Sequence, residues 1–174
     1  MLDFTSAIQR ESLRLQSAAH LGLPKGMGTV RFACHAPCTA TEVVEKAKAV
    51  LRVINERSLG SWPSDADWGR LLPSWFVERC EPVKSEAESQ AWLAWWRGLS
   101  DDQMADVERN QAWTLDGWLY SLTPDQRRWF WWDAVPLTEH NFVVAVEAHE
   151  WPFPSGALGW LLRASGADRV EAEV

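Results

Sequence analysis

The sequence contains little cysteine, with three residues in a chain of 174. A small and odd number of thiols excludes the disulfide framework of a small secreted domain. Near the N-terminus, Asp3, Arg10 and Glu11 interrupt the apolar run that a secretory signal needs. From these two absences we expect a cytoplasmic protein with reduced thiols.

Long apolar runs and an excess of positive charge are also lacking. No window approaches the roughly 18 consecutive apolar residues of a membrane span, so we expect no membrane partner. The chain carries 24 acidic against 17 basic residues, a net charge of −7. Because neutralising phosphates requires a basic surface, this balance argues against a nucleic-acid partner and favours a cationic one.

The common catalytic and cofactor motifs are absent from the sequence. It has no P-loop, no dinucleotide-binding glycine pattern, no HExxH and no GxSxG. Cys34-His35-x-x-Cys38 has the residue types of a metal site, but a structural zinc ion needs four ligands in paired short spacings. We therefore predict no metal, no cofactor and no catalytic residue.

What the sequence does contain is tryptophan, with 13 residues, and hydrophobic side chains, at 47%. Each indole ring can bury roughly 200 Å², so we expect tryptophan mainly in the core. An exposed aromatic surface that stacks sugars or bases is the minor alternative. This length and composition fit one globular domain over residues 1–174. Thirteen arginines against four lysines suggest a GC-rich, bacterial genome.

The pattern of apolar residues predicts an α+β fold with a helical majority. Strands are expected at residues 28–35, 141–150 and 168–174, where side chains alternate or are apolar on both faces. Helices are expected where apolar residues recur at helical spacing behind a capping side chain. Their ranges are 4–19, 39–59, two short turns within 61–82, 86–98, 101–110, 115–121, 124–133 and about 155–166.

Residues 123–150 are expected to form the centre of the core. Trp129-Phe130-Trp131-Trp132 is interpreted as the end of a helix that is aromatic on all sides, packed against the strand from residue 141. A strand, a short helix and a strand then follow closely along the chain. We therefore predict a right-handed C-terminal βαβ unit with parallel pairing, in a small sheet of about three strands.

One candidate ligand pocket lies at the C-terminal end of the central strand. Glu147 and His149 share a face there, and Ser155 and Gly156 begin the next helix. Ligands of open α/β sheets gather at this edge, a helix N-terminus favours anions, and a His beside a Glu can act as a general base. The plainer interpretation is a solvated strand end, with Ser155 acting as a helix cap.

A second candidate is the acidic segment 78–116, with nine acidic and four basic residues. Its candidate partner face comprises Asp101, Asp102, Asp106 and Glu108. Such a face with occasional exposed tryptophan can engage a basic protein surface, although the solvated side of amphipathic helices gives the same pattern. The leading hypothesis is a non-enzymatic interaction module of adaptor or toxin-neutralising type. The alternative is a small-molecule binder or enzyme at the Glu147/His149 strand end.

Overall fold

The computed structural model describes residues 3–22, 28–148 and 152–173, and the predicted α+β class is confirmed within them. These ranges contain eight helices and four strands. The helices are α1 (Phe4–Gln16), α2 (Ala40–Ser58), α3 (Asp65–Leu71), α4 (Ser74–Arg79), α5 (Glu86–Trp96), α6 (Asp101–Asn110), α7 (Leu115–Ser121) and α8 (Gly156–Ala164). The strands are β1 (Thr29–His35), β2 (Trp129–Pro136), β3 (Asn141–Ala148) and β4 (Arg169–Ala172). No helix among the described residues combines the length and apolarity needed to cross a bilayer.

The strands form one antiparallel sheet in the order β2-β3-β1-β4. β4 pairs with β1, so it runs parallel to β3 but is separated from it by one strand. The C-terminal βαβ unit is therefore present in a split form, and the predicted direct pairing of its strands is wrong. β1, α2 and β2 form a second split unit, into which α3–α7 are inserted. This is the connectivity of the ferredoxin-like topology, which by itself carries no function.

The largest departure from the sequence prediction is the aromatic run, which is strand β2 rather than the end of a helix. The Thr123-x-x-Gln126 pattern closes a turn, because the amides of Gln126 and Arg127 both donate to the Thr123 carbonyl. The chain then enters the sheet with Trp129 beside Ala148. Pairing of the run along β3 adds a fourth strand to the sheet.

Alternation along β2 explains how so many rings are accommodated. Trp129 and Trp131 face the main core, while Phe130 points to the other side, where Ala7 and Ile8 of α1 pack on it. A pleated strand distributes large rings to two separate apolar environments, which suits aromatic side chains. The prediction of a buried aromatic centre was right, but its secondary structure was wrong.

The main core lies on one face of the sheet, under α2 and α8. Phe32 of β1 and Val144 of β3 point into it, and the two helices contact each other above them. Three short helices of the insertion each bury one large ring in the same core, Trp68 from α3, Phe76 from α4 and Trp118 from α7. The insertion is thus anchored to the sheet domain by aromatic packing.

Helix α1 covers the outer edge of β2. Glu11 of α1 is buried and accepts the Trp131 backbone N–H at 2.5 Å. It also accepts two bonds from Arg127, at 2.7 and 2.8 Å. Because an edge strand with free backbone groups is open to further pairing, α1 closes the sheet on this side. At the opposite edge, β4 is mostly exposed.

Candidate functional site

Glu147 lies on the sheet face opposite the main core, as its alternation with Val146 predicts. Its carboxylate accepts from Arg10 at 3.2 Å and from Arg14 at 3.0 Å, and both cations belong to α1. The Arg14 guanidinium also stacks on the Trp132 ring at 3.9 Å. Glu147 is therefore engaged in holding α1 on the sheet.

The described residues of the predicted strand-end pocket are not brought together. His149 lies outside the described residues. Ser155 and Gly156 line a cleft beside α8, to which Glu147 does not contribute. Ser155 occupies the N-cap position of α8, but its side chain makes no capping hydrogen bond, so its predicted role as a cap is wrong. Gly156 permits close packing, since a Cβ there would lie 2.9 Å from the Trp113 ring.

The cleft beside α8 has a volume of about 900 Å³, which is in the range of small-molecule sites. Strands β1, β2 and β4 line it together with α6, α7 and α8. Much of the lining consists of aromatic rings, namely Phe32, Trp113, Tyr120, Trp129 and Phe153. No sequence pattern could reveal this cleft, because its lining residues come from six elements and the loops between them.

Several charged side chains line the cleft, and they differ in their surroundings. Glu108, Arg109 and Glu171 are exposed. Arg163, from the last turns of α8, is half-buried, and its Nε and Nη2 atoms are buried without a hydrogen-bond partner among the described residues. Desolvation lowers the pKa of Arg163. The sequence did not predict Arg163 as a site residue, because the helix was recognised only by its apolar residues.

The acidic segment forms two successive helices, α5 and α6, joined by residues 97–100, and we call this segment the α5–α6 hairpin. Asp101, Asp102, Asp106 and Glu108 are all exposed, as expected for a partner face. Asp101 and Asp102 occupy the first turn of α6, where the helix dipole favours negative charge. Asp106 pairs with Arg109 on the same helix. The geometry leaves the four carboxylates accessible from solvent.

The hairpin also carries three tryptophans that do not enter the core. Trp92 and Trp96 stack with their centroids 5.1 Å apart, and Trp95 lies 6.4 Å from Trp92. Trp95 is 50% exposed and Leu93 is 43% exposed. Neither α5 nor α6 buries a residue. The expectation that tryptophan lies in the core is therefore wrong for this hairpin.

The Cys34-His35-x-x-Cys38 cluster does not converge. Successive strand residues point to opposite faces, so Cys34 enters the core while His35 reaches Asp168 at 2.7 Å. Burial raises the pKa of the Cys34 thiol to about 12. In residues 3–22, 28–148 and 152–173, no three His, Cys, Asp or Glu side chains are placed to hold a metal ion.

Among the described residues, two surfaces carry side chains without a partner. On the acidic hairpin these are the tryptophans that do not enter the core, and in the cleft it is the guanidinium of Arg163. Comparison of the chain with protein-family models, with curated proteins and with solved structures found no match.

Proposed function

We propose that the protein is a non-enzymatic interaction module that docks a basic protein surface on the α5–α6 hairpin. The observation that carries this proposal is that α5 buries none of its four large apolar residues, Trp92, Leu93, Trp95 and Trp96. Clustered apolar side chains left open to solvent often mark an interface. Tryptophan is also enriched among the residues that dominate binding energy.

The charge of the hairpin supports a cationic partner. Residues 86–110 carry six acidic and two basic side chains. A negative electrostatic potential on the hairpin accelerates association with a positively charged partner and disfavours the binding of acidic proteins. In such an interface the rings form the desolvated centre and the carboxylates form the polar rim. An adaptor or a toxin-neutralising protein has this kind of surface, and we propose that class for this chain.

Two further features fit the same proposal. The three cysteines are free thiols, which supports a cytoplasmic location, and the arginine-rich composition supports a bacterial source. The alternative site at the end of β3 has less support, because Glu147 is already paired with Arg10 and Arg14. No cofactor is required for docking of this kind.

The test compares variants of the full chain in pull-downs from a bacterial lysate, followed by binding kinetics with the purified partner. One variant removes the four carboxylates, by Asp101→Asn, Asp102→Asn, Asp106→Asn and Glu108→Gln. A second variant is Trp95→Ala. The matched control removes four exposed carboxylates elsewhere, by Glu56→Gln, Asp65→Asn, Asp125→Asn and Glu139→Gln.

We expect all variants to fold, since surface charge removal costs at most about 0.5 kcal/mol per site. The hairpin carboxylate variant should associate about tenfold more slowly and lose its salt dependence. Trp95→Ala should accelerate dissociation instead, because it removes apolar contact. The control should bind like the unmodified protein. A partner that both hairpin variants retain at full affinity would refute the proposal.

A further inference from the structure

The guanidinium of Arg163 folds back along α8 toward the N-terminus of the helix. A Cβ added at Gly159 would lie 3.1 Å from the Arg163 Nη1 atom, so the guanidinium occupies the space above that glycine. Gly159 and Ser155 line the cleft on the same side of α8 as Arg163. Residues four apart on a helix are neighbours, so these three positions form one stripe along the cleft wall.

The two unpartnered nitrogens of Arg163 are Nε and Nη2. They form one edge of the planar guanidinium, and their N–H bonds run parallel, which is the geometry that receives both oxygens of a carboxylate. Leaving charged donors buried and unpaired costs free energy. Protein atoms cover both nitrogens, so the guanidinium must rotate toward the cleft before an anion on this edge can satisfy both donors in one contact.

The other charged groups of the cleft do not supply this anion. Glu108 and Glu171 are exposed, and neither bonds to Nε or Nη2 of Arg163. Arg109 is paired with Asp106, so its charge is already matched on the surface of α6. No described residue therefore places an anion on the Nε–Nη2 edge of Arg163.

We propose that this cleft binds a small organic carboxylate with an aromatic or similarly flat apolar body. Once the Arg163 side chain has rotated toward the cleft, the carboxylate accepts two hydrogen bonds from its Nε and Nη2 atoms. The body of the ligand lies among the rings of Trp113, Tyr120 and Trp129, which supply apolar contact and edge or face stacking. The proposal does not depend on docking at the tryptophans of α5, and either can fail without the other.

The test titrates benzoate and phenylacetate into the full-length protein and follows binding by calorimetry and by NMR of the arginine Nε–H groups. Benzyl alcohol is the uncharged control ligand, and phenyl phosphate is the alternative anion. We expect saturable binding of a carboxylate at one site, with a shift of the Arg163 Nε–H resonance. That resonance is assigned by its loss in Arg163→Lys.

Arg163→Met should weaken carboxylate binding by about tenfold or more, because two charge-assisted hydrogen bonds are lost. Arg70→Met is the matched control, since it removes an exposed arginine on α3, outside the cleft. Gly159→Ala is the second variant. It keeps the charge and favours the helix, and its methyl group shifts the Nη1 end of the guanidinium by a few tenths of an ångström, so binding should weaken less than in Arg163→Met.

Three outcomes would overturn the proposal. The first is that no carboxylate binds saturably at millimolar concentration. The second is that Arg163→Met binds as tightly as the unmodified protein. The third is that benzyl alcohol or phenyl phosphate binds while the carboxylates do not, which would place the specificity in the rings or in a different anion.

Discussion

Glu11 is a fully buried carboxylate whose hydrogen bonds all go to other buried groups. It accepts from Arg127, from the Trp131 amide and from Asn55 of α2, whose Nδ2 lies 2.9 Å away. Burial lowers the pKa of Arg127, and Glu11 opposes that shift by its charge. A buried ion pair of this kind is tolerated only because its hydrogen-bonding capacity is satisfied.

We predict that Glu11→Gln destabilises the protein by about 3–5 kcal/mol, because it leaves the Arg127 charge buried without an anion. Urea denaturation measures the loss. Glu11→Met combined with Arg127→Met should recover part of it, since both charges are then removed together. Glu45→Gln, at a 55% exposed carboxylate on α2, is the control and should change stability by at most about 0.5 kcal/mol. A loss as small as that of the control would contradict the prediction.

At the scale of elements, the two edge strands are protected differently. β2 contains a bulge between Trp131 and Asp133, and Asp133 accepts the Leu21 amide at 2.7 Å and the Gly22 amide at 3.1 Å. A bulge bends a strand and re-aims a side chain, so here it ties the segment after α1 to the sheet edge. β4 lacks such a cover but is short, with four residues.

Although β4 is mostly exposed, its backbone is paired to β1 and its Val170 packs against the main core. We predict that deleting residues 170–174 costs roughly 2–4 kcal/mol, through lost ladder bonds and exposure of Phe32 and Cys34 on β1. Thermal unfolding gives the measurement, with Glu171→Gln as the control, because that carboxylate is exposed. The same melting temperature with and without these residues would contradict the role assigned to β4.

At the scale of the whole molecule, the chain segments before and after the α5–α6 hairpin lie side by side where they join the core. The Glu81 amide donates to the Trp113 carbonyl at 2.9 Å, and Glu81 and Thr114 form an isolated parallel bridge. Neither helix of the hairpin buries a residue. The hairpin therefore lies at the periphery of the sheet domain, where α6 contacts α8, and its exposed side chains are available for binding.

We predict that replacing residues 85–110 with a short Gly-Ser linker leaves the fold intact and lowers the melting temperature by at most about 5 °C, because little apolar area is lost from the core. Circular dichroism and thermal unfolding check this outcome. Leu119→Ala in α7, which truncates a buried side chain, should instead cost about 2–5 kcal/mol. An unfolded or molten linker variant would show that the hairpin belongs to the core.

The sequence by itself determined where most helices begin, because a cap is a bond between residues three apart. Asp3, Thr39, Ser64, Ser85 and Ser100 each accept the amide that their spacing predicts. Alternation likewise predicted β1 and β3, and charge predicted the exposure of the acidic face. These properties are local, so neighbouring residues suffice to specify them.

Only the tertiary structure decided how the aromatic run and the residues of the predicted strand-end pocket are arranged. Trp129–Trp132 can be buried by a helix or by a strand, and pairing with β3 selected the strand. β1 lies between β3 and β4 in the sheet. The sequence of a single strand does not specify which other strand pairs with its edge. Glu147 and Ser155 lie close in sequence yet have different surroundings, because α8 packs on the sheet face that Glu147 does not share. The unpaired edge of Arg163 and the burial of Glu11 against Arg127 also depend on contacts between distant segments, which local patterns cannot specify.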